Sequence, residues 1–393
     1  MRSLVIALLF FATVINYVDR QTLSVLAPVL RDRFHMSNID YSHVVTVFLL
    51  AYMIMQSGSG RILDRLGTRR GMSLTIAWWS AAAMLHAAAG SVFSFGACRF
   101  LLGLGEAGNW PGGVKAVSEW FPPNQRAFGI GFFNAGSTVG AMLSPPLIAW
   151  LALRFGWQSA FLATGVLGFV WLAFWLALYR APRVPFGDAG DGAPVRWLAL
   201  FRYRPVWGLV LARTLADPVW WFYVFWLPEY LKRERNFSLA MIGYFASIPF
   251  LAAGIGNLTG GAMSGWLVRR GRAVLWSRKA VMAVSALLMA SGIPAVLVGD
   301  ARASLALISV ATFAYSAWAA NVLTLPADLF PPRVVASVSG VAGTGAALGG
   351  MVFTLIIGAV VDRFSYLPVF VAAGLMPVGA AAFILGFVRP IER

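Results

Sequence analysis

Charge and thiol are what this sequence has least of. Asp, Glu, Lys and Arg make up 12 % of its 393 residues, about half the roughly 25 % of soluble domains, which excludes an ordinary water-soluble globule. One cysteine, Cys98, excludes an internal disulfide and a Cys-rich metal site. Three scattered histidines, His35, His43 and His86, offer no metal-ligand spacing, so neither a metal nor a cofactor is expected. No G-x-x-x-x-G-K-[ST] run is present, which excludes ATP hydrolysis at a phosphate loop and leaves a gradient as the energy source. Acids are scarcer than bases, 15 against 31, for a net charge of +16.

Apolar residues fill the space that charge leaves, at 59 % of the chain, with 16 Trp and 29 Phe. This composition predicts an all-α membrane protein whose main partner is the lipid bilayer. A helix crosses the hydrocarbon core with about 20 apolar residues. Segments of that kind lie near 4–28, 43–62, 71–89, 92–113, 126–151, 158–179, 205–228, 240–264, 280–298, 303–325, 336–360 and 367–388, which predicts twelve transmembrane helices. The first begins almost at the terminus and carries Asn16, Asp19 and Arg20 where a signal peptide has small residues, so it reads as a retained helix. With the N-terminus inside, the cytoplasmic segments hold 20 Lys and Arg and the opposite side eight. The positive-inside rule then places both termini in the cytoplasm and explains the surplus charge without a nucleic-acid partner.

The chain also repeats itself. "FPPNQRAFGIGFFNAGSTVGAM" from Phe121 matches "FPPRVVASVSGVAGTGAALGGM" from Phe330 at an offset of 209, pairing Gly131, Gly136 and Gly140 with Gly340, Gly345 and Gly349. A repeat of near half the chain predicts two pseudo-symmetric six-helix halves, residues 1–180 and 205–393, joined by a linker at 181–204 that contains the polar Gly/Pro stretch up to Pro194. Two such halves rocking about a midplane site is a transporter architecture.

Six ionisable residues stand inside predicted spans: Asp19, Arg20, Arg99, Glu106, Arg213 and Asp217. Such groups are costly in the bilayer and mark a pathway or a partner. Arg99 and Glu106 lie two turns apart on one helix face and cannot pair with each other, whereas Arg20 can reach Glu106. Arg213 and Asp217, at i and i+4, can pair. Arginine's planar fork matches a carboxylate, so Arg20 is the expected substrate clamp, with Arg213 as a second. Coupling to protons needs an acid whose proton affinity changes as a counter-charge moves; Asp19 and Glu106 fit, with Arg99 in support. Purely structural ion pairs remain the alternative for each. Tyr17, Tyr52, Asn134, Ser137, Trp318 and Asn321, with Asn109, Thr138 and Tyr315 near them, supply hydroxyl, amide and aromatic surface for a hydroxylated ligand, or else hydrogen-bond helix to helix.

"GRILDRLGTRR", residues 60–70, resembles the signature loop of the major facilitator superfamily, with Gly60, Asp64, Arg65, Gly67, Arg69 and Arg70 in place. The resemblance implies a gating latch. In its counterpart "GAMSGWLVRRG", residues 261–271, Gly265 stands at the acidic position, so only the first copy can make the full latch. "NYVDRQTLSVLAP" with "CRFLLGLGEAGNWPGGVKAVSEWFP" is similar to the anion:cation symporter family, and "ARTLADPVWWFYVFWLPEYL" resembles helix seven of its hexuronate-transporter branch. "RFLLGLG", from Arg99, resembles a motif of proton-coupled members of the superfamily.

The expectation is a monomeric, proton-coupled importer of an organic anion in a bacterial-type inner membrane, not an enzyme, with a hexuronate as substrate and an aldonate, glucarate or lactate-type monocarboxylate as the rival cargo. A membrane enzyme acting on a lipid-linked sugar would need its acids at the interface, while Asp19 and Glu106 fall inside spans. A receptor that senses such a ligand without moving it is the alternative of another class.

Overall fold

A computed structural model describes residues 2–36, 38–182, 197–237, 245 and 247–389. Arg183, Arg196, Arg393 and most of the expected linker lie outside the described residues. Among the described residues there is no strand. The helices are α1 (Arg2–Phe34), α2 (Asn38–Leu85), α3 (Val92–Glu106), α4 (Asn109–Trp120), α5 (Pro123–Phe155), α6 (Trp157–Leu178), α7 (Arg204–Arg235), α8 (Ser247–Arg269), α9 (Val274–Met289), α10 (Gly292–Leu297), α11 (Ala301–Val322), α12 (Leu325–Leu329), α13 (Pro332–Arg363) and α14 (Leu367–Phe387).

Among the described residues, seven helical stretches, or eight if the bent pair Pro123–Ser144 and Pro146–Phe155 is one span, are long and apolar enough to cross a membrane. Helix breaks explain much of the difference from the twelve segments. The expected spans 43–62 and 71–89 form one helical run, α2, bent at Gly67, whose φ of 76° and ψ of 162° no helix contains and a side chain would strain. The expected span 92–113 is divided at residues 107–108, leaving α3 with 15 residues.

Residues group into two compact units, Met1–Trp120 with Gly136–Gly190 and Pro331–Gly340, and Phe121–Ala135 with Asp191–Phe330 and Val341–Arg393. In the first, α2 packs on α3, α4 and α6, and α1 on α6 and α4. Its core at one end joins Leu26, Leu30, Phe95, Ile148 and Phe161. His86 belongs to this core: its ring stacks on Phe161 at 4.9 Å and meets the edge of Phe95 at 5.0 Å, and Nδ1 lies 2.8 Å from the Ala82 carbonyl. Trp171, Trp175 and Tyr179 form a stacked ladder along α6 at i, i+4 and i+8, with centroids 5.1 and 3.9 Å apart. The ladder ties α6 to other elements through Trp171 Nε1 to the Leu8 carbonyl (2.8 Å) and Trp175 Nε1 to the Arg69 carbonyl (3.1 Å).

In the second unit α8 packs on α11, α7 on α14, and both α9 and α10 on α11 and α14. Arg235, ending α7, donates to the Tyr230 hydroxyl (2.8 Å) and to the carbonyls of Ala295 (2.7 Å) and Val298 (2.6 Å), a cation on the C-terminal carbonyls of α10.

Candidate functional site

Four of the six intramembrane charges collect in the first unit. Arg20, on α1, donates from Nε (3.1 Å) and Nη2 (2.9 Å) to Oε2 of Glu106, the last residue of α3. The Glu106 side chain is 0 % exposed and that of Arg20 14 %, so the guanidinium is the member a ligand can reach. Around it stand three rings, with Cζ 4.9 Å from the Tyr52 centroid, 5.3 Å from Tyr17 and 5.4 Å from Phe48. A desolvated cation over an aromatic face gains up to about 2 kcal/mol, so this box offsets part of the cost of burying Arg20. Asn16 Oδ1, one turn before, accepts from Nη2 at 3.5 Å. Adjacency on one helix turns Asp19 away from this pair. Asp19 is 1 % exposed, and the hydroxyl of Thr164 on α6 is the hydrogen-bonding group beside its carboxylate. Electrostatically it is repelled by Glu106 and attracted by Arg99, itself buried over Phe48 at 5.9 Å. Asn109, three residues past Glu106, donates to Thr13 Oγ1 on α1 at 3.1 Å. Ser137 and Thr138, on α5, are buried in the same unit.

The other two charges pair within the second unit. Arg213 donates to Asp217 Oδ2 from Nε (3.0 Å) and Nη2 (2.8 Å). Tyr315 also hydrogen-bonds Asp217, and its ring stacks on Trp220 at 5.5 Å. Asn134 Nδ2 donates to Asn257 Oδ1 at 2.6 Å. Asn321 spends its amide on the carbonyls of Gly260 (3.1 Å) and Ala317 (2.9 Å), tying α11 to α8, and Trp318 is fully buried. These two therefore occupy helix contacts, unlike Arg213.

Asp64 finds its cation in Lys115 of α4, Nζ to Oδ1 at 2.8 Å, and accepts from the amides of Ala336 (3.3 Å) and Ser337 (2.7 Å) at the start of α13. Arg65 and Arg70 are exposed, and Arg69 donates to the Leu176 carbonyl at 2.5 Å. Gly60 lies against the backbone of Ala336, where a Cβ has no room. A second carboxylate shares Lys115: Glu119 lies 3.8 Å from it, accepts from Thr68 Oγ1 at 2.8 Å and from the Tyr179 hydroxyl at 3.2 Å. Burial raises the Glu119 carboxyl above its ordinary value.

Phe48, Lys115 and Asn257 complete these clusters without having been singled out from sequence. Lys115 and Asn257 carried a usable signal, a polar side chain in a glycine-rich apolar run; Phe48 among 29 phenylalanines carried none. Among the described residues no group of His, Cys, Asp and Glu could hold a metal ion.

The profile of the Major Facilitator Superfamily matches residues 9–353. The chain is 32 % identical over 388 residues to the hexuronate transporter of Escherichia coli K12, covering 94 % of this chain and 90 % of that one. It is 34 % identical over 307 residues to the galacturonate transporter of Dickeya chrysanthemi, covering 74 % and 89 %. Its fold is that of the proton:xylose symporter XylE, with a TM-score of 0.79 at 18 % identity over 99 % of this chain and 96 % of that one. With the whole-length sequence match and the shared helical fold in agreement, the chain belongs to the Major Facilitator Superfamily and is a multi-pass membrane transporter, not an enzyme.

Proposed function

We propose that the chain is a proton-coupled symporter that imports an organic anion, a hexuronate such as glucuronate or galacturonate, by alternating access. Its twelve spans form two six-helix halves, 1–180 and 205–393, joined at 181–204, with both termini in the cytoplasm of a cell bounded by a bacterial-type inner membrane, and it works as a monomer. The observation that carries this reading is the Arg20 box: a buried guanidinium, 14 % exposed, with one carboxylate partner and three aromatic rings. Arginine's fork takes a second carboxylate in the same plane, and the rings take the face of a sugar.

Charge balance supplies the coupling. Asp19 and Glu106 neutralise Arg20 and Arg99, so the cluster is neutral as it stands. A sugar-acid carboxylate entering it leaves one negative charge in a low-dielectric interior, which is expensive unless a proton enters too. Asp19, buried with the Thr164 hydroxyl beside it, is the proton's first seat; Glu106 is the second, because the incoming carboxylate competes for Arg20. In the first unit Tyr17, Tyr52 and Ser137 shape the remaining surface and Arg99 supports the acids; in the second, Asn134 and Arg213, the latter held in reserve by Asp217, are the substrate groups, and Trp318 and Asn321 support them through helix packing. Gly60, Asp64, Arg65, Gly67, Arg69 and Arg70 serve the gate. The sequence match to hexuronate and galacturonate transporters supports the choice of cargo.

Uptake of radiolabelled glucuronate into proteoliposomes under an inward proton gradient tests the reading, with lactate and galactonate as competitors. Wild type is expected to concentrate glucuronate, Arg20→Ala to lose uptake, and Asp19→Asn to exchange substrate without concentrating it. Accumulation of a competitor in place of glucuronate would replace the cargo and keep the coupling. Failure of wild type to move any of them would leave a ligand receptor.

A further inference from the structure

The turn between α8 and α9 concentrates cationic and aromatic groups that transport leaves unused. It reads "WLVRRGRAVLW", residues 266–276, and no acidic residue occurs between Glu234 and Asp300. Arg270 Cζ lies 4.2 Å from the Trp266 ring centroid, and Arg272 Cζ 5.3 Å from that of Trp276. Both indoles are open, Trp266 at 43 % and Trp276 at 51 % exposure, and Arg269, Arg270 and Arg272 are exposed with them. Among the described residues none of these three arginines makes an ion pair. The backbone that carries them is fixed: Gly271 has φ of 84°, the Arg270 amide donates to the Trp266 carbonyl at 3.0 Å and the Arg272 amide to the Leu267 carbonyl at 3.2 Å.

Position decides what such a group can meet. The apolar stretch Val274–Leu297 is long enough to cross the membrane and begins two residues after Arg272, so the turn lies at the edge of the bilayer. Indoles favour that level, where one end is apolar and the other wet. Two guanidiniums, each over its own indole and two residues apart on one turn, stand at the depth of lipid phosphates. We propose that this turn is a binding site for the phosphate of an anionic phospholipid, gripped by Arg270 and Arg272 on their tryptophan platforms, with Arg269 adding charge. The cations around the α2 bend differ: Arg69 is spent on the Leu176 carbonyl, and among the described residues no ring underlies Arg65 or Arg70.

Native mass spectrometry of the full chain in neutral detergent, titrated with phosphatidylglycerol, cardiolipin and phosphatidylcholine, tests this. Wild type is expected to retain the two anionic lipids in preference to phosphatidylcholine. Arg270→Gln with Arg272→Gln is expected to weaken anionic-lipid binding about twentyfold, at the order expected for two interfacial cations. Trp266→Leu with Trp276→Leu, which leaves the net charge alone, is expected to weaken it severalfold, an effect that diffuse surface charge does not produce. Arg65→Gln with Arg70→Gln serves as the charge-matched control, and melting temperature in lipid-free detergent checks that each variant is folded. The proposal is overturned if the Trp pair binds like wild type, if both Arg pairs lose binding equally, or if free glycerol 3-phosphate displaces the lipid as well as a lipid competitor does. None of these outcomes depends on whether glucuronate is the cargo.

Discussion

At the scale of single residues, Asp19 and Arg20 show that neighbours in sequence can serve opposite ends. Arg20 donates twice to Oε2 of Glu106 and also meets Tyr52, whereas Asp19, one residue before it, has the Thr164 hydroxyl as its hydrogen-bonding neighbour. A buried carboxylate supported by one hydroxyl costs the fold stability, so Asp19→Asn is expected to raise the melting temperature while ending concentrative uptake, the trade between stability and activity seen at working sites. A lowered melting temperature in that variant would mean that Asp19 is a structural partner instead. Arg20→Lys keeps the charge but loses the fork. Substrate affinity is expected to fall about tenfold or more while the protein stays folded, measured as displacement of bound glucuronate. Much of this was legible beforehand: a charge in an apolar run is conspicuous, and helix spacing alone forbids Arg99 from reaching Glu106. The aromatic box was only half legible, because Tyr17 and Tyr52 announce themselves by a hydroxyl and Phe48 does not.

Elements disclose what spacing conceals. The repeat register that aligns Phe121 with Phe330 also aligns Glu119 with Asp328. Yet Glu119 competes with Asp64 for one lysine, whereas Asp328 is shared by two arginines, Arg278 Nε at 3.0 Å and Arg126 Nη1 at 3.3 Å. The Glu119 cluster thus sets two carboxyls around one lysine, and the Asp328 cluster two arginines around one carboxylate. For Glu119 the consequence is measurable. Its carboxyl is favoured as the neutral acid in the folded state, since burial raises it from 4.5. That preference stabilises the protein fully at pH below 4.5 and is lost as pH rises through the raised folded value. Glu119→Gln is therefore expected to flatten the fall in melting temperature between acid and neutral pH, read by thermal unfolding across that range; an unchanged slope would exclude Glu119 as its source. Hydropathy could not foresee these contacts, because it locates apolar runs and is blind to where Gly67 turns a helix or where α3 gives way to α4.

For the whole molecule, composition spoke most clearly. The scarcity of charge implied a membrane, the repeat implied a transporter, and the sequence and fold comparisons place the chain in that superfamily. What composition left open is stoichiometry, which depends on how many buried acids titrate. If Asp19 and Glu106 each take a proton alongside one monovalent anion, every cycle carries one net positive charge inward, and glucuronate added to proteoliposomes on a solid-supported membrane is expected to draw an inward current. Electroneutral uptake would assign a single proton. The same economy of residue types has a practical side. Cys98, the only thiol in the chain, is half-buried on α3 immediately before Arg99. The native protein thus already holds one spectroscopic handle beside its charge cluster. A single engineered cysteine elsewhere would complete a spin-label pair, allowing the distance between α3 and any other helix to be followed through the transport cycle without first stripping the protein of thiols.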